Sequence, residues 1–201
     1  MKKFLILTFV ACSILCCTKQ DSESANETPD PTPEMPEPEP EKYIVFEDYT
    51  VKELCISMWD ANGDGKLSET EAAAVKSIGG VFSGKKIYNF DELRFFTGIT
   101  EIQAGAFQYK EETTSRYYTY LQRITIPKNV KRIGEDAFYI DNTNGGEITV
   151  LPSTPPTIIG DEIVPFWVNK AQYKIYVPWA SVEAYKSKWD DYARCIYGRG
   201  L

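Results

Sequence analysis

The chain has 201 residues, with 22 basic and 29 acidic side chains, a net charge of −7, five cysteines and no histidine. Without histidine there is no Ser-His-Asp or Cys-His nucleophile, no His-ligated zinc site and no imidazole base at neutral pH. A sequence pI near 4.8 lacks the basic footprint that a nucleic-acid binder needs, so no nucleic-acid partner is expected.

Residues 1–17 read as an export signal. Lys2 and Lys3 supply the positive start, and Phe4 through Leu15 form an apolar stretch too short for a relaxed membrane-spanning helix. Its ending, Ile14-Leu15-Cys16-Cys17, resembles the lipobox of bacterial lipoproteins. That resemblance implies lipidation of Cys17, with the membrane as a partner through an N-terminal lipid anchor. Cys16 stands where the family has Gly, Ala or Ser, and Cys12 after Ala11 is a second candidate, with Cys16 itself a third. An ordinary cleaved signal with incidental cysteines is the alternative. Several acyl chains on one cysteine make a stable anchor, because each buried CH₂ contributes roughly 0.8 kcal/mol.

Residues 18–42 read as a disordered tether. Between Asp21 and Lys42 there are six prolines and eight acids, with Ala25 and Met35 the only apolar residues. Such a segment buries too little surface to offset its ordering entropy, and its prolines favour extended polyproline II. At roughly 3.1 Å per residue it would hold a domain several nanometres from a membrane. Thr18-Lys19-Gln20-Asp21, leading into the acids, resembles the surface-export signals of Bacteroides-type lipoproteins. It implies an outer-membrane, cell-surface location, with the periplasmic face as the alternative.

Residues 43–80 read as a helix-loop-helix cap built on a metal loop. Asp60-Ala61-Asn62-Gly63-Asp64-Gly65-Lys66-Leu67-Ser68-Glu69-Thr70-Glu71 matches the twelve-residue EF-hand loop. Asp60, Asn62 and Asp64 fall at positions 1, 3 and 5, where side-chain oxygens converge on one ion. Gly65 permits the bend, Lys66 offers its backbone carbonyl, Leu67 points inward, Ser68 acts directly or through water, and Glu71 supplies the bidentate pair. Hard oxygen ligands select Ca²⁺ as the cofactor. Val51, Leu54, Cys55 and Met58 form a helical stripe before the loop, and a helix is expected over 69–78 after it. An Asp/Asn/Gly turn that keeps the shape but binds calcium poorly is the alternative. With no second loop in the sequence, a structural ion is expected rather than a sensor switch. Cys55 reads as a small buried hydrophobe, and its pairing with Cys195 stays open.

Residues 81–201 carry recurring segments. Arg123-Ile124-Thr125-Ile126-Pro127 returns as Glu147-Ile148-Thr149-Val150-Leu151-Pro152 and as Lys174-Ile175-Tyr176-Val177-Pro178. Ile124 thus recurs 24 residues on at Ile148 and a further 27 on at Ile175. Ile99-Thr100-Glu101-Ile102 with Ala106-Phe107 returns 31 residues later as Val130-Lys131-Arg132-Ile133 with Ala137-Phe138, with Tyr109 to Tyr120 as a tyrosine-rich insertion. Period-2 alternation within strands and a period in the twenties predict a solenoid. An ordinary antiparallel β-fold with chance similarity is the alternative.

Leu121 through Phe138 resembles the BspA-like leucine-rich repeats of bacterial surface lipoproteins. Trp59-Asp60, Glu71-Ala72-Ala73-Ala74-Val75 and Phe90-Asp91-Glu92-Leu93 resemble the EF-hand-type leader before those repeats in Bacteroides-type proteins, and Ile175 to Trp189 resembles their terminal unit. The fold class expected is therefore α+β: a short leucine-rich-repeat β-solenoid of about three units, an N-terminal EF-hand-like helix pair and a C-terminal capping helix. That helix, from Ser181 to Trp189, presents Val182, Tyr185 and Trp189 on one face.

The function expected is non-catalytic: a lipid-anchored surface binding or adhesion module recognising a host or bacterial surface protein or a glycan. The alternative is an accessory component of an envelope glycan-capture complex. Tyr117, Tyr118 and Tyr120 on the insertion are the candidate ligand-binding residues, whereas Trp59, Trp179 and Trp189 sit where core is expected. The adjacent pairs Glu111-Glu112 and Asp190-Asp191 read as solvated charge rather than catalytic carboxylates.

Overall fold

A computed structural model describes residues 40–110, 112–113, 117–138, 146–160 and 173–201. The described residues belong to one compact unit, Glu39–Leu201. The signal and nearly all of the tether, Cys17 included, lie outside the described residues. No helix among the described residues is long and apolar enough to cross a membrane.

The first helix, α1 (Tyr49–Trp59), starts at Asp48, whose Oδ1 accepts from the amides of Thr50 and Val51 at 2.9 and 3.3 Å. Side-chain capping of this kind satisfies amides that have no partner within the helix. Val51 and Cys55 turn inward and are fully buried, Leu54 is half-buried, and Met58 is exposed. The second helix, α2 (Glu69–Ala74), ends at Val75, which adopts an extended backbone, so the helix stops short of the expected residue 78. The shortening lets Val75 and Ile78 both turn into the core. It also lets the chain pass close to Gly98, where a Cβ would come within 2.4 Å of the carbonyl oxygens of Ala73 and Val75. Glycine is required at that approach.

Ten strands follow. A five-stranded sheet takes β1 (Asn89–Phe90), β5 (Arg123–Ile126), β7 (Gly146–Val150), β9 (Tyr173–Pro178) and β10 (Ile196–Arg199), in that spatial order. A three-stranded sheet takes β2 (Glu101–Ile102), β6 (Arg132–Gly134) and β8 (Thr157–Ile159). Every pairing in both sheets is parallel. The chain alternates between the sheets from β5 to β9, and β3 (Tyr109–Lys110) with β4 (Tyr117–Tyr118) forms a separate antiparallel pair.

These two parallel sheets overturn the expected α+β leucine-rich-repeat solenoid: the fold is α/β, with two sheets linked by crossovers. The recurring segments do become neighbours, with Phe90, Ile124, Ile148, Ile175 and Ile196 forming one buried row across five strands. A spacing in the twenties, however, fixes only the length of chain between successive parallel strands. Any crossover of about that length satisfies it, so the period does not specify a repeat architecture.

The core is aromatic at its N-terminal end. Rings of Phe138, Phe107, Phe82, Phe90, Phe96 and Trp59 contact one another in sequence, with centroids 4.8 to 5.7 Å apart. At the other end α3 (Val182–Lys188) buries Tyr185, and Trp189 and Tyr192 are buried after it. Trp179 corrects the core expectation for the tryptophans: it is 69% exposed, while Trp189 is buried and Trp59 is packed against the core. Cys55 is a free buried thiol, so it is not joined to Cys195.

Candidate functional site

The loop between α1 and α2 is organised by its own side chains. Gly63 and Gly65 both adopt positive φ, 74° and 78°, which turns a run of amides toward the loop interior. Asp60 meets them: Oδ1 accepts from Gly63 N at 2.7 Å and Oδ2 from Gly65 N at 2.8 Å. Asn62 Oδ1 accepts from Asp64 N at 2.9 Å, and Asp64 Oδ1 accepts from Lys66 N at 2.8 Å.

Glu71 closes the loop from the far side. Its Oε1 accepts from Ala61 N at 2.8 Å, and its Oε2 accepts from Ser68 N at 2.9 Å and Ser68 Oγ at 3.0 Å. Ser68 Oγ in turn accepts from Glu71 N, so one capping box starts α2 and brings the twelfth loop position back to the second. These bonds hold the Glu71 carboxyl below the usual range, with the Ser68 amide the largest cause. Leu67 and Ser68 are buried, as an inward position 8 requires, while the residues from Ala61 to Lys66 are exposed.

Sequence reasoning missed Tyr43. The segment entering the fold makes an antiparallel bridge to the loop, Tyr43 opposite Ser68. Ile44 N donates to Leu67 O and Glu69 N donates to Lys42 O, both at 2.8 Å. The Tyr43 hydroxyl donates to Asp64 Oδ2 at 2.9 Å, and Lys66 Nζ sits 4.6 Å from the centre of its ring. The bond to Asp64 raises the Tyr43 pKa to about 12 and lowers that of Asp64. Tyr43 adjoins the tether in sequence, and an isolated bridge residue has no periodicity to mark it.

Ca²⁺ fits this loop by donor chemistry. Three carboxylates, an amide oxygen, a hydroxyl and the Lys66 carbonyl are all hard oxygen donors. Asp60 Oδ2 and Asp64 Oδ1 each accept one amide and keep a lone pair for an ion, whereas both Glu71 oxygens already accept two donors and would exchange one of them for the ion. Among the described residues, no three Asp, Glu, Cys or His side chains already converge as a ready-made metal cluster. The carboxylates are turned onto the loop amides instead.

A second polar-aromatic feature lies where β3 and β4 pair, Tyr109 opposite Tyr118 and Lys110 opposite Tyr117. The side chains of Tyr117 and Tyr118 lie outside the described residues. Tyr120 packs edge-on to Tyr109 at 5.3 Å and tilted against Tyr88 at 5.7 Å. Lys86 Nζ lies 5.3 Å from both the Tyr109 and the Tyr120 ring centres, and these tyrosines raise its pKa, Tyr109 most. Tyr88 is 48% exposed, and Tyr109 and Tyr120 are half-buried. The sequence singled out Tyr120 and missed Lys86, Tyr88 and Tyr109, which join it only through the β1 and β3 strand starts.

One buried carboxylate stands apart from both features. Glu92 Oε1 accepts from Glu47 N at 3.0 Å, whereas its Oε2 has no hydrogen-bond partner, and burial pushes its pKa up. It neighbours Asp91, which is engaged with Arg123 and with Thr125 Oγ1. The arrangement is a structural polar contact between the entering segment and the start of the sheet.

No protein-family model matches the chain, and no curated protein matches it.

Proposed function

We propose that this chain is a non-catalytic, lipid-anchored cell-surface binding module that recognises a protein or glycan partner, with one structural Ca²⁺ in the loop from Asp60 to Glu71. The observation that carries the binding reading is the tyrosine surface of Tyr88, Tyr109 and Tyr120 around Lys86. Tyrosine offers a large, stiff, amphipathic face at low entropic cost, and here the rings are braced by one another and by an ammonium. The anchor and tether rest on the Ile14-Leu15-Cys16-Cys17 ending and the acidic proline run, which support an outward-facing location on the outer membrane, with the periplasmic face as the alternative.

When bound, calcium would draw Asp60, Asn62, Asp64, Glu71, Ser68 and the Lys66 carbonyl toward one centre. The chain's own part is to fix the bend at Gly65, hold Leu67 in the core and align the two helices. Ring faces also suit sugar C–H bonds, which supports the second reading, an accessory component in glycan capture.

Screening the full chain in excess calcium against a glycan array and against surface-protein pull-down tests the proposal. A ligand lost on Tyr88→Ala and Lys86→Ala, with melting temperature unchanged, supports the tyrosine surface. A ligand indifferent to both variants overturns that assignment. Binding retained when calcium is chelated would separate the metal from the surface, and binding lost would tie recognition to the metal.

A further inference from the structure

A groove of about 360 Å³ opens between two successive connections, the one from β5 to β6 and the one from β7 to β8, with the end of α3 closing one side. Three of its lining residues are lysines, Lys128, Lys131 and Lys188, and none is acidic. Residues 43–201 carry 18 basic and 21 acidic side chains, so three lysines with no acid among them form a local excess of positive charge. The paired acids face other cations: Glu47 and Asp91 face Arg123, Glu101 faces Arg132, Glu147 faces Arg199 and Glu183 faces Lys186. Among the described residues, Lys128, Lys131 and Lys188 enter no ion pair. Asp190 and Asp191 line an adjoining depression that shares Thr157 and Lys188 with the groove.

Lys188 is already positioned. Its Nζ donates to Pro155 O at 3.2 Å and to Thr157 Oγ1 at 3.1 Å, two neutral oxygens that orient the ammonium without cancelling its charge. Ordering a four-carbon stem beforehand removes part of the entropic cost of binding. The remaining wall offers the exposed hydroxyls of Ser153 and Thr154 above the buried Pro152 and Pro155. Asn129 is held in place by its own bond to Thr97 O at 2.7 Å.

We infer that this groove is a second binding site, distinct from the tyrosine surface, for an acidic oligosaccharide bearing carboxylate or sulfate groups. The three ammonium groups answer the repeated negative charge, and the exposed hydroxyls of Ser153 and Thr154 answer sugar hydroxyls. The exposed hydroxyls favour a saccharide over an acidic peptide, which commonly docks by adding a strand. Strands β5, β6 and β7 have both edges paired, and the edge strand at the groove, β8, faces Lys188 to Tyr192 across the adjoining depression.

Titrating the full chain with a tetragalacturonate, a neutral oligosaccharide of equal length and inorganic sulfate tests the inference, with the melting temperature read in parallel. The expected result is saturable binding of the uronate alone, weakening as salt rises. The double variant Lys128→Gln/Lys131→Gln, which disturbs no described side-chain contact, should weaken it about tenfold, since each surface charge pair contributes a few-fold. Lys188→Gln should weaken it further, with Tyr88→Ala leaving it unchanged. Absence of uronate binding, equal binding of the neutral sugar, or full retention by the double variant overturns the site. Sulfate binding as tightly as the uronate also overturns it, because a bare anion subsite then suffices.

Discussion

The loop between α1 and α2 and the proline-rich connection after β7 face opposite versions of one problem. In the loop from Asp60 to Ser68 the glycine turns leave backbone amides in search of acceptors, and carboxylates supply them: Asp60 for Gly63 and Gly65, Asp64 for Lys66, Glu71 for Ala61 and Ser68. In Pro152-Ser153-Thr154-Pro155-Pro156 three residues have no amide to give, so carbonyls are in excess. Donors from the C-terminal elements meet them: Ser181 Oγ to Ser153 O at 2.7 Å, Tyr185 Oη to Pro152 O at 2.7 Å, and Trp189 Nε1 to Pro156 O at 3.0 Å. One region is completed by exposed anions and the other mainly by buried neutral rings. The first should therefore respond to metal, salt and acid, and the second chiefly to packing, with the Lys188 ammonium at Pro155 O as a charged contact.

The largest expected effect belongs to the neutral end. Trp189→Ala deletes a buried ring and strands the Pro156 carbonyl, which costs about 3–5 kcal/mol. The loss should be the same in calcium and in EDTA; dependence on the metal would show that the two regions are not separate. Next comes the charged end. Saturating calcium at 100 times its dissociation constant contributes about 2.7 kcal/mol, a rise of roughly 5–11 °C in melting temperature. Glu71→Gln should abolish that rise, and a wild-type chain indifferent to EDTA would make the loop a helix connector only.

Tyr185→Phe keeps the ring and removes the bond to Pro152 O, for a loss of about 1–2 kcal/mol independent of pH below 9. The acid response is smaller and belongs to the loop. The carboxyls of Asp64 and Glu71 are held below their ordinary values of 3.8 and 4.5 in the fold. Their contribution is present above those values and lost as pH falls through the lowered ones. Melting temperature in EDTA should thus be level from pH 8 to about 5 and decline below about 4. The smallest effect is that of Tyr43→Phe, a shift within about 2 °C, because its bond to Asp64 is exposed to solvent. A larger loss would mean that the bridge between Tyr43 and Ser68 depends on the hydroxyl.

Much of the site's local order was legible because its signals are local. Position 6 of the loop needs positive φ, and Gly65 has it; Ser68 and Glu71 spell a capping box three residues apart. The strands were legible through alternation, since Ile124 and Ile126 share the buried face. Fold class was not, because a chain interval between parallel strands is common to many architectures. The end of α2 was misjudged because three alanines favour helix, while the close backbone approach at Gly98 decides where it stops. Trp179 looked like core from its neighbours, yet it lies over Gly198, whose missing side chain leaves room for the indole on the outside. Tyr43 and the groove lysines are brought to their partners by contacts over long sequence separations, which no spacing records.

The bridge at Tyr43 has a mechanical consequence. Any tension carried by residues upstream of Lys42 enters the fold at the two backbone bonds joining residues 42 and 44 to Glu69 and Leu67. It reaches the loop before it reaches either sheet. A pull from the N-terminal side would first load the carboxylate-laced turn from Asp60 to Glu71, so an ion held there would act as a rivet at the point of attachment.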